Sequence, residues 1–254
     1  MPSKLYPTVP YTAAVIGGAS GIGRALALYL AHEGVTVAII DRDGPGAAET
    51  AALITGAGGS AGAHVADTTD DMALRACLAK QDAVDGGLKA LINCAAITGK
   101  TNQKAHECDL ADFDLVYRVN LRAALVMSQA VLPGMVVRGY GRILHLASIA
   151  GKEGNAGMAA YSATKAGLIG LVKSMAKDYA ATGVTINALA PAVIRTPMVA
   201  ALPQATIDYM TAKIPMGRTG TLDEAAAMAA WIVSPACSFT TGFTFDLSGG
   251  RATY

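Results

Sequence analysis

The segment TAAVIGGASGIGRALALYL, residues 12–30, decides the fold of this chain. Its first five residues, Thr12 to Ile16, form an apolar run that predicts a buried strand, and Ala25 to Leu30 has the spacing of a helix. Between them lies the glycine-rich turn GGASGIG, residues 17–23. A strand, a glycine turn and a helix in this order form the context that a phosphate-binding loop requires.

The residue types of the glycine turn suit an anionic ligand. Gly17 would allow the tight turn, Gly21 would let the backbone approach a pyrophosphate, and Gly23 would let helix and strand pack closely. The helix N-terminus would face the anion. We therefore expect dinucleotide contacts from Gly17, Ser20, Gly21, Ile22 and Gly23. The spacing differs from the common G-x-G-x-x-G, and a glycine turn without a ligand is the alternative.

Asp41 indicates which dinucleotide the turn would bind. It follows directly on the apolar run Val37 to Ile40, about twenty residues after the glycine turn. A carboxylate at this position can hydrogen-bond both hydroxyls of an adenosine ribose and repel a 2′-phosphate. This favours NAD over NADP as cofactor. Arg24 and Arg42 leave NADP open, because either guanidinium could offset the charge of that phosphate.

Apolar runs rich in Val, Ile and Leu alternate with longer segments of helical period, a pattern typical of βαβ units. The predicted strands are Thr12 to Ile16, Thr36 to Ile40, Gly62 to Val65, Ala90 to Asn93, Gly141 to Ala147, Thr185 to Ala190 and Thr244 to Asp246. The predicted helices are Gly23 to His32, Gly44 to Thr55, Asp70 to Gln81, Leu110 to Met135, Ala159 to Ala181 and Leu222 to Val233. We expect an α/β fold of the Rossmann type, doubly wound, with a seven-stranded parallel sheet and helices on both faces.

Composition bounds the domain organisation and the partners. With 254 residues, 52% of them hydrophobic, we expect one dinucleotide-binding and catalytic domain over residues 1–254. A formal net charge of +1 gives no reason to expect nucleic acid or a membrane as partner. We see no signal peptide and no run of about 18 apolar residues, so the expected location is cytoplasmic. Four dispersed cysteines and four dispersed histidines predict no metal site.

A second constellation lies further along the chain. Ser148 follows a predicted strand, and YSATK, residues 161–165, begins thirteen residues after it. Tyr161 and Lys165 lie four positions apart, so they would share one face of a helix. A nearby ammonium favours the phenolate and would lower the pKa of Tyr161. This would make the phenol usable for proton transfer at neutral pH.

Together these residues resemble the classical short-chain dehydrogenase/reductase family, and the resemblance covers nearly the whole chain from Thr12 to Gly250. The family's TGxxxGIG loop corresponds to residues 16–23, with Ile16 in place of the usual Thr. Its NNAG segment corresponds to NCAA, residues 93–96. The resemblance implies an NAD-dependent oxidoreductase that interconverts a secondary alcohol and a ketone.

The resemblance also implies a catalytic tetrad, which corresponds to Asn120, Ser148, Tyr161 and Lys165. Tyr161 would transfer the proton, and Ser148 would hydrogen-bond the carbonyl or alkoxide oxygen. Lys165 would hold the nicotinamide ribose and lower the pKa of Tyr161. Asn120 would hold a water that connects Lys165 to solvent. Hydride transfer itself belongs to the cofactor.

Further cofactor contacts are implied outside the glycine turn. The adenine and the adenosine side would be contacted by Asp67, Asn93 and Ala95. The segment PAVIRT, residues 191–196, is similar to the family's PGxIxT motif, with an Ala where Gly is usual. Two of its residues would hold the carboxamide of the nicotinamide, Ile194 and Thr196.

The substrate side is predicted from the segment GKEGNAGM, residues 151–158, which lies between Ser148 and Tyr161. Its polar residues could bind hydroxyls, and Lys152 or Arg195 could meet a carboxylate. We expect a sugar, a sugar acid or another polyhydroxylated alcohol. The expected substrate contacts are Ser148, Glu153, Asn155, Tyr161 and Arg195. A solvated loop that never touches the substrate is the alternative.

Two other functions stay open. The segment IPMGR, residues 214–218, and the helix that carries Tyr161 also resemble 3-oxoacyl-[acyl-carrier-protein] reductases. Such reductases usually favour NADPH, against which Asp41 argues. A non-catalytic dinucleotide sensor on the same fold is the alternative of another class, and the intact tetrad argues against it. Members of the family are commonly homotetramers, so the resemblance implies a homotetramer.

Overall fold

The apolar runs of the sequence become the strands of one parallel sheet. The computed structural model describes residues 5–6, 11–84, 86–201 and 203–254. Within these residues the strands are β1 (Thr12–Ile16), β2 (Thr36–Asp41), β3 (Ala61–Val65), β4 (Leu88–Asn93), β5 (Gly141–Leu146), β6 (Val184–Pro191) and β7 (Thr244–Leu247). They pair in parallel in the order β3-β2-β1-β4-β5-β6-β7. The seven predicted strands are confirmed, with bounds that shift by at most two residues.

The helices follow the predicted segments and add three short ones. They are α1 (Gly21–His32), α2 (Gly44–Gly56), α3 (Asp71–Asp82), α4 (Leu110–Tyr117), α5 (Ala123–Val137), α6 (Ala150–Glu153), α7 (Ala159–Tyr179), α8 (Pro197–Ala200), α9 (Gln204–Thr211) and α10 (Leu222–Ile232). The predicted helix Leu110 to Met135 consists of α4 and α5, joined by a π-helical turn over Arg118–Arg122. No helix was predicted for α6, α8 or α9, because their four to eight residues are too few to show a helical period.

Helices cover both faces of the sheet. One face packs against α1, α2 and α10, and the other packs against α3, α5 and α7. Alternation along β1 divides its side chains between the two layers: Val15 lies with the first and Ile16 with the second. Both side chains are fully buried, and each such burial contributes about 2 kcal/mol to folding. The doubly wound α/β fold is therefore confirmed.

The strand order reverses between β1 and β4. From this point β2 and β3 extend to one side, and β4 to β7 extend to the other. Crossover connections that leave in opposite directions open a crevice outside the carboxyl ends of the strands. The glycine turn and Ser148 follow the ends of β1 and β5, and Asn93 is the last residue of β4, so the predicted site residues border this crevice.

The helical stretch from Leu110 to Val137 is long and apolar enough to cross a membrane by length and composition. More than half of its most apolar window, 56%, is buried inside the protein. Val126, Val131 and Met135 belong to the core between the sheet and the helices. Within the fold this stretch is a core helix of one layer.

Candidate active site

The glycine turn approaches the neighbouring strand so closely that side chains are excluded. Gly17 has a φ of +79°, and a Cβ there would lie 2.7 Å from the backbone nitrogen of Ala95. A Cβ at Gly23 would lie 2.0 Å from the carbonyl oxygen of Gly17. Glycine is therefore required at both positions, as the sequence predicted for a tight turn followed by close helix packing.

The first turn of α1 differs from that of α2, α3, α4 and α10. N-terminal N–H groups of α2, α3, α4 and α10 donate hydrogen bonds to the capping side chains of Asp43, Asp70, Asp109 and Thr221. Within the described residues, the Ser20 side chain makes no cap hydrogen bond to α1, and the first turn contains no acidic residue. These N–H groups therefore suit an external anion such as a pyrophosphate. Ile22, in the same turn, packs against the apolar core.

Asp41 is fixed beside the glycine turn. Its Oδ2 accepts a hydrogen bond from the backbone nitrogen of Ala19 at 3.0 Å, and its Oδ1 accepts one from Asp43 at 3.0 Å. The Arg24 guanidinium donates to the carbonyl of Ala19 at 2.9 Å and pairs with Glu49 at 2.6 Å. The charge of Arg24 is therefore compensated within the protein. This weakens the case for NADP that Arg24 had left open.

The other residues expected at the adenosine side lie at the ends of β3 and β4. Asp67 is exposed, and its Oδ1 accepts hydrogen bonds from the N–H and the hydroxyl of Thr69 at 2.7 and 2.8 Å. These bonds hold the pKa of Asp67 below its usual value. Asn93 is buried, and its Oδ1 accepts from Ala95 at 3.1 Å. Asn93 thereby positions the backbone that Gly17 contacts.

His145 continues this polar network into the core. It is fully buried on β5, next to Asn93 in the sheet register, and its Nδ1 lies 3.4 Å from Asn93 Nδ2. Ser128 Oγ donates to the carbonyl of Ala124 at 2.8 Å, so it accepts from His145 Nε2 at 3.0 Å. Burial lowers the pKa of His145 to about 3, and the imidazole is neutral. The sequence showed His145 as a dispersed histidine; the adjacent register of two polar residues in buried strands was the available signal.

Ser148, Tyr161 and Lys165 meet beyond the carboxyl end of β5. Lys165 lies one helical turn after Tyr161 on α7, and its Nζ is 5.7 Å from the centroid of the Tyr161 ring. The Tyr161 hydroxyl lies near enough to Ser148 for that side chain to lower its pKa. Lys165 Nζ donates to the carbonyl oxygen of Leu146 at 2.5 Å, and the side chain is almost completely buried. The structure therefore brings together three of the four predicted tetrad residues.

The pKa predicted for Tyr161 has the wrong direction. Burial raises the pKa of Tyr161 above its ordinary value, and the nearby Ser148 side chain offsets only part of this effect. The ammonium of Lys165 is directed at the Leu146 carbonyl, which explains why its charge does not bring the pKa of Tyr161 below the ordinary value. Burial also lowers the pKa of Lys165 to about 8.

Asn120 occupies the π-helical turn between α4 and α5. Its Oδ1 accepts from the N–H of Ile97 at 2.9 Å, and its Nδ2 donates to the Ile97 carbonyl at 2.8 Å. A further bond from Nδ2 reaches Thr164 Oγ at 3.3 Å, one residue before Lys165. Asn120 therefore ties the segment after β4 to α7. Its expected role in holding a water stays a prediction.

The nicotinamide side is formed after β6. Ile194 is buried and pairs with Gly220 in an isolated bridge, while Thr196 caps α8 through Val199 N–H at 3.3 Å. A Cβ at Gly21 would lie 3.8 Å from Thr196 Cγ2. The structure thus places the segment 194–196 against the glycine turn, although the two are far apart in the sequence.

The substrate-side residues are engaged differently from the prediction. Glu153 pairs with Arg251 at 2.8 Å, and Asn155 Oδ1 accepts from the same guanidinium at 3.2 Å. Lys152 pairs with Asp246 at 2.9 Å. These partners argue against the direct substrate contacts expected of Glu153 and Asn155. Arg195 is exposed, and its backbone N–H donates to Gly220 at 2.8 Å.

The arrangement has the parts for dinucleotide binding and proton transfer at one edge of the sheet. An anion fits the N-terminus of α1, a ribose fits beside Asp41, and a phenol, a hydroxyl and an ammonium meet beside the end of β5. A phenol in contact with a hydroxyl and near an ammonium can exchange a proton with an alcohol oxygen. The residues present therefore fit a nicotinamide dinucleotide.

Comparisons with known proteins agree with this geometry. The family model described as Enoyl-(Acyl carrier protein) reductase matches residues 17–252. A 2-dehydro-3-deoxy-L-rhamnonate dehydrogenase (NAD(+)) of Sphingomonas sp. (strain SKA58) is 44% identical over 244 residues, 95% of each chain. A (3R)-3-hydroxyacyl-CoA dehydrogenase of Homo sapiens is 35% identical over 94% of each chain. The crystal structure of 3-oxoacyl-[acyl-carrier protein] reductase from Brucella melitensis ATCC 23457 has a TM-score of 0.91 at 32% identity, covering 98% of this chain and 95% of that one.

Proposed function

This chain belongs to the classical short-chain dehydrogenase/reductase family, and from that premise we propose that it oxidises the secondary alcohol of a sugar acid to a ketone with NAD as cofactor. The meeting of Ser148, Tyr161 and Lys165 beyond β5 carries the proposal. Burying a phenol and an ammonium costs folding free energy, which favours a chemical role for both groups. The enzyme acts on a CH–OH group.

The protein's own groups handle the proton. Tyr161 first releases its own proton to solvent, and its phenolate Oη then accepts the proton of the substrate hydroxyl. Ser148 hydrogen-bonds the same substrate oxygen as it becomes a carbonyl. Lys165 supplies the positive charge near the phenol, since a pKa of about 8 leaves it mostly protonated at neutral pH. Bound NAD supplies the hydride acceptor. Asn120 holds α7 in place through Thr164 and links the proton path to solvent.

We propose NAD rather than NADP as the cofactor because of the contacts around Asp41. Its carboxylate is aimed at the glycine turn, and the nearby Arg24 is paired with Glu49. The carboxylate would repel a 2′-phosphate, and Arg24 would have to leave its partner to offset it. The proposed cofactor residues are those expected from the sequence, from the glycine turn to Thr196.

The sugar-acid substrate is proposed from the similarity to the Sphingomonas dehydrogenase and from the cations near the site. A sugar acid needs a partner for its carboxylate. Lys152 and Arg251 are already paired with Asp246 and Glu153. Arg195 makes no ion pair within the described residues and lies between the proposed carboxamide contacts, so it is the proposed partner of the carboxylate.

The remaining proposals concern the whole chain. We propose one dinucleotide-binding and catalytic domain over residues 1–254, a cytoplasmic location and a homotetramer. Exposed apolar side chains on α4 and α5, Leu115 and Leu125, support assembly into an oligomer. Sedimentation at micromolar concentration is expected to show a tetramer, and a monomer would contradict this proposal.

The substrate is tested by following absorbance at 340 nm with purified protein at pH 8. A panel of sugar acids, neutral sugars, polyols and simple secondary alcohols is offered with NAD and with NADP. We expect NADH formation with a sugar acid and a lower KM for NAD. Consumption of NADPH by 3-oxoacyl thioesters, with no turnover of the panel, would establish the reductase alternative instead. Turnover of neutral sugars as fast as sugar acids would contradict the role of Arg195.

A further inference from the structure

The C-terminal segment, residues 248–254, folds back on itself after β7. Ser248 Oγ accepts a hydrogen bond from the N–H of Ala252 at 3.1 Å, which closes a turn. Gly249 and Gly250 adopt φ values of +60° and +87° within it. A Cβ at Gly249 would lie 2.6 Å from Ile214 Cγ2. The turn is therefore tightly packed and directs Arg251 back into the protein.

Arg251 forms two side-chain hydrogen bonds with the substrate-side loop, which we define as residues 150–158. Its Nε donates to Glu153 Oε2 at 2.9 Å, and its Nη2 donates to Asn155 Oδ1 at 3.2 Å. The Arg251 side chain is only 10% exposed, so this ion pair is screened less than a surface pair. Tyr254 Oη adds a bond to the Lys152 carbonyl at 2.7 Å.

The same contacts reach the catalytic helix and the opposite wall of the site. The N–H of Asn155 donates to Ser162 Oγ at 3.0 Å, and Ser162 follows Tyr161 on α7. On the other side, Gly249 accepts from the N–H of Met216 at 3.1 Å, in the connection between α9 and α10. The C-terminal segment therefore connects two walls of the proposed substrate site to the start of α7.

Within the described residues, the start of α7 has no side-chain cap of its own. Its N-cap residue, Met158, makes no side-chain hydrogen bond to the helix. The substrate-side loop contains Gly154 and Gly157, both with positive φ, so its own backbone is permissive. Lys152, paired with Asp246, holds the α6 end of the loop, whereas Asn155, beyond Gly154, is held by the Arg251 guanidinium and by Ser162.

We propose that Arg251 is a positioning residue for substrate binding, because it holds the substrate-side loop through Glu153 and Asn155. Arg251 acts through these two residues and not by contact with the reacting atoms. The inference rests on the proposed function only for the identity of the substrate. The contacts by which Arg251 holds the loop do not depend on it. Loss of Arg251 then affects substrate binding and leaves unaffected the binding of NAD, which is anchored through the glycine turn and Asp41.

The test compares Arg251→Ala, Arg251→Lys and Glu153→Gln with a matched pair at the opposite edge of the sheet. Arg138 pairs with Asp82 and donates to the Leu88 carbonyl at 3.0 Å, so Arg138→Ala breaks a similar partly buried ion pair away from the site. Three quantities are measured: the KM for the sugar acid, the KM for NAD and amide hydrogen exchange across residues 151–157.

We expect Arg251→Ala to raise the KM for the sugar acid about tenfold, because misplaced binding groups lose contacts with the substrate. Its KM for NAD should stay within about twofold, and exchange in residues 151–157 should accelerate. Arg251→Lys, which keeps the charge, should recover part of the loss. Arg138→Ala should lower Tm without moving any of the three quantities.

Unchanged exchange in residues 151–157 of Arg251→Ala would overturn the proposal. So would faster exchange with an unchanged KM for the sugar acid, or a KM for NAD that rises equally. If no sugar acid is turned over, the proposed function fails, and the same comparison is made with whichever alcohol or ketone the enzyme accepts. Amide exchange, which needs no substrate, still decides whether Arg251 holds the loop.

Discussion

Buried polar side chains lie at both edges of the sheet, and the two edges use them differently. At the amino edge, Tyr11 Oη donates to the Val233 carbonyl at 2.6 Å. Arg142 donates to the Gly141 and Gly183 carbonyls at 2.9 and 3.2 Å. At the carboxyl edge, three side chains that can hold or transfer a proton, Ser148, Tyr161 and Lys165, lie next to one another. The amino edge closes the fold, whereas the carboxyl edge retains groups that can react.

The burial of polar side chains affects the stability of the fold differently at the two edges. Side chains that satisfy backbone carbonyls replace water and remove unpaired acceptors from the interior. Lys165 also reaches a carbonyl, that of Leu146, yet burial still depresses its pKa to about 8. A charge maintained against burial destabilises the fold. The same substitution should therefore have opposite consequences at the two edges, which allows matched tests.

The largest expected difference comes from removing one hydroxyl at each edge. Tyr161→Phe should reduce kcat about a thousandfold, because phenylalanine has no hydroxyl to exchange a proton with the substrate. Tyr11→Phe should leave kcat unchanged and cost about 1 kcal/mol of unfolding free energy, since the Val233 carbonyl loses its donor. Steady-state NADH formation and urea unfolding measure the two effects. A kcat that falls equally in both variants would refute the division between the edges.

A second test exchanges a buried cation for methionine. Lys165→Met should stabilise the fold by about 2 kcal/mol at pH 7, because removing a charge that burial disfavours outweighs the loss of the donor to the Leu146 carbonyl, while turnover falls sharply. Arg142→Met should destabilise the fold by about 3 kcal/mol, since it leaves buried carbonyls without donors. Urea unfolding of both variants gives the signs. Destabilisation by both would mean that Lys165 contributes to the fold as Arg142 does.

The stabilising effect of Lys165→Met should depend on pH. The pKa of Lys165 is lowered from 10.5 to about 8 on folding, so the unfolded chain binds more protons between these values. Stability of the wild type should therefore rise as pH increases from 8 towards 10.5, and the advantage of Lys165→Met should shrink. An advantage that is constant between pH 7 and pH 10 would contradict the assignment.

His145 provides a smaller effect in the acid range. Burial lowers its pKa from 6.5 to about 3, so the unfolded chain takes up a proton that the folded chain refuses. This histidine should make the protein less stable by about 2 kcal/mol at pH 5 than at pH 7. His145→Asn should lack that component, as urea unfolding at the two pH values will show. A variant that retains the full pH dependence would exclude this role of His145.

The smallest expected effect concerns cofactor choice at the carboxyl edge. Asp41→Asn removes the charge that would repel a 2′-phosphate and keeps an acceptor for the N–H of Ala19. The ratio of kcat/KM for NAD over NADP should fall about tenfold. Initial rates with both cofactors measure it, with Asp43→Asn on the adjacent helix cap as control. An unchanged ratio would remove Asp41 from cofactor selection.

The sequence predicted the features that repeat with a period or a fixed spacing. The strands alternate or run apolar, and Tyr161 and Lys165 are four residues apart, so both follow from local geometry. The pairing of Glu153 with Arg251 joins positions 98 residues apart in the chain. No local pattern reports such a contact, because it depends on how β7 and the turn after it lie against α6.

The predicted direction of the pKa shift of Tyr161 was wrong for a related reason. The spacing of Tyr161 and Lys165 correctly placed the ammonium near the phenol. It could not show how deeply both groups are buried, or that the Leu146 carbonyl receives the ammonium. Burial depends on the packing of α6 and α7, which Gly151 permits, since a Cβ there would lie 2.6 Å from the carbonyl carbon of Lys165. Spacing in the sequence therefore predicts which side chains are neighbours, whereas packing determines their pKa values.

A crystal structure of the protein with NAD tests the central claim most directly, namely that the carboxyl edge of the sheet is where cofactor and substrate meet. The account predicts the pyrophosphate at the N-terminus of α1, the adenosine ribose on Asp41 and the nicotinamide between Tyr161 and the segment 194–196. Nucleotide density at any other place on the molecule, or a ribose turned away from Asp41, would contradict it.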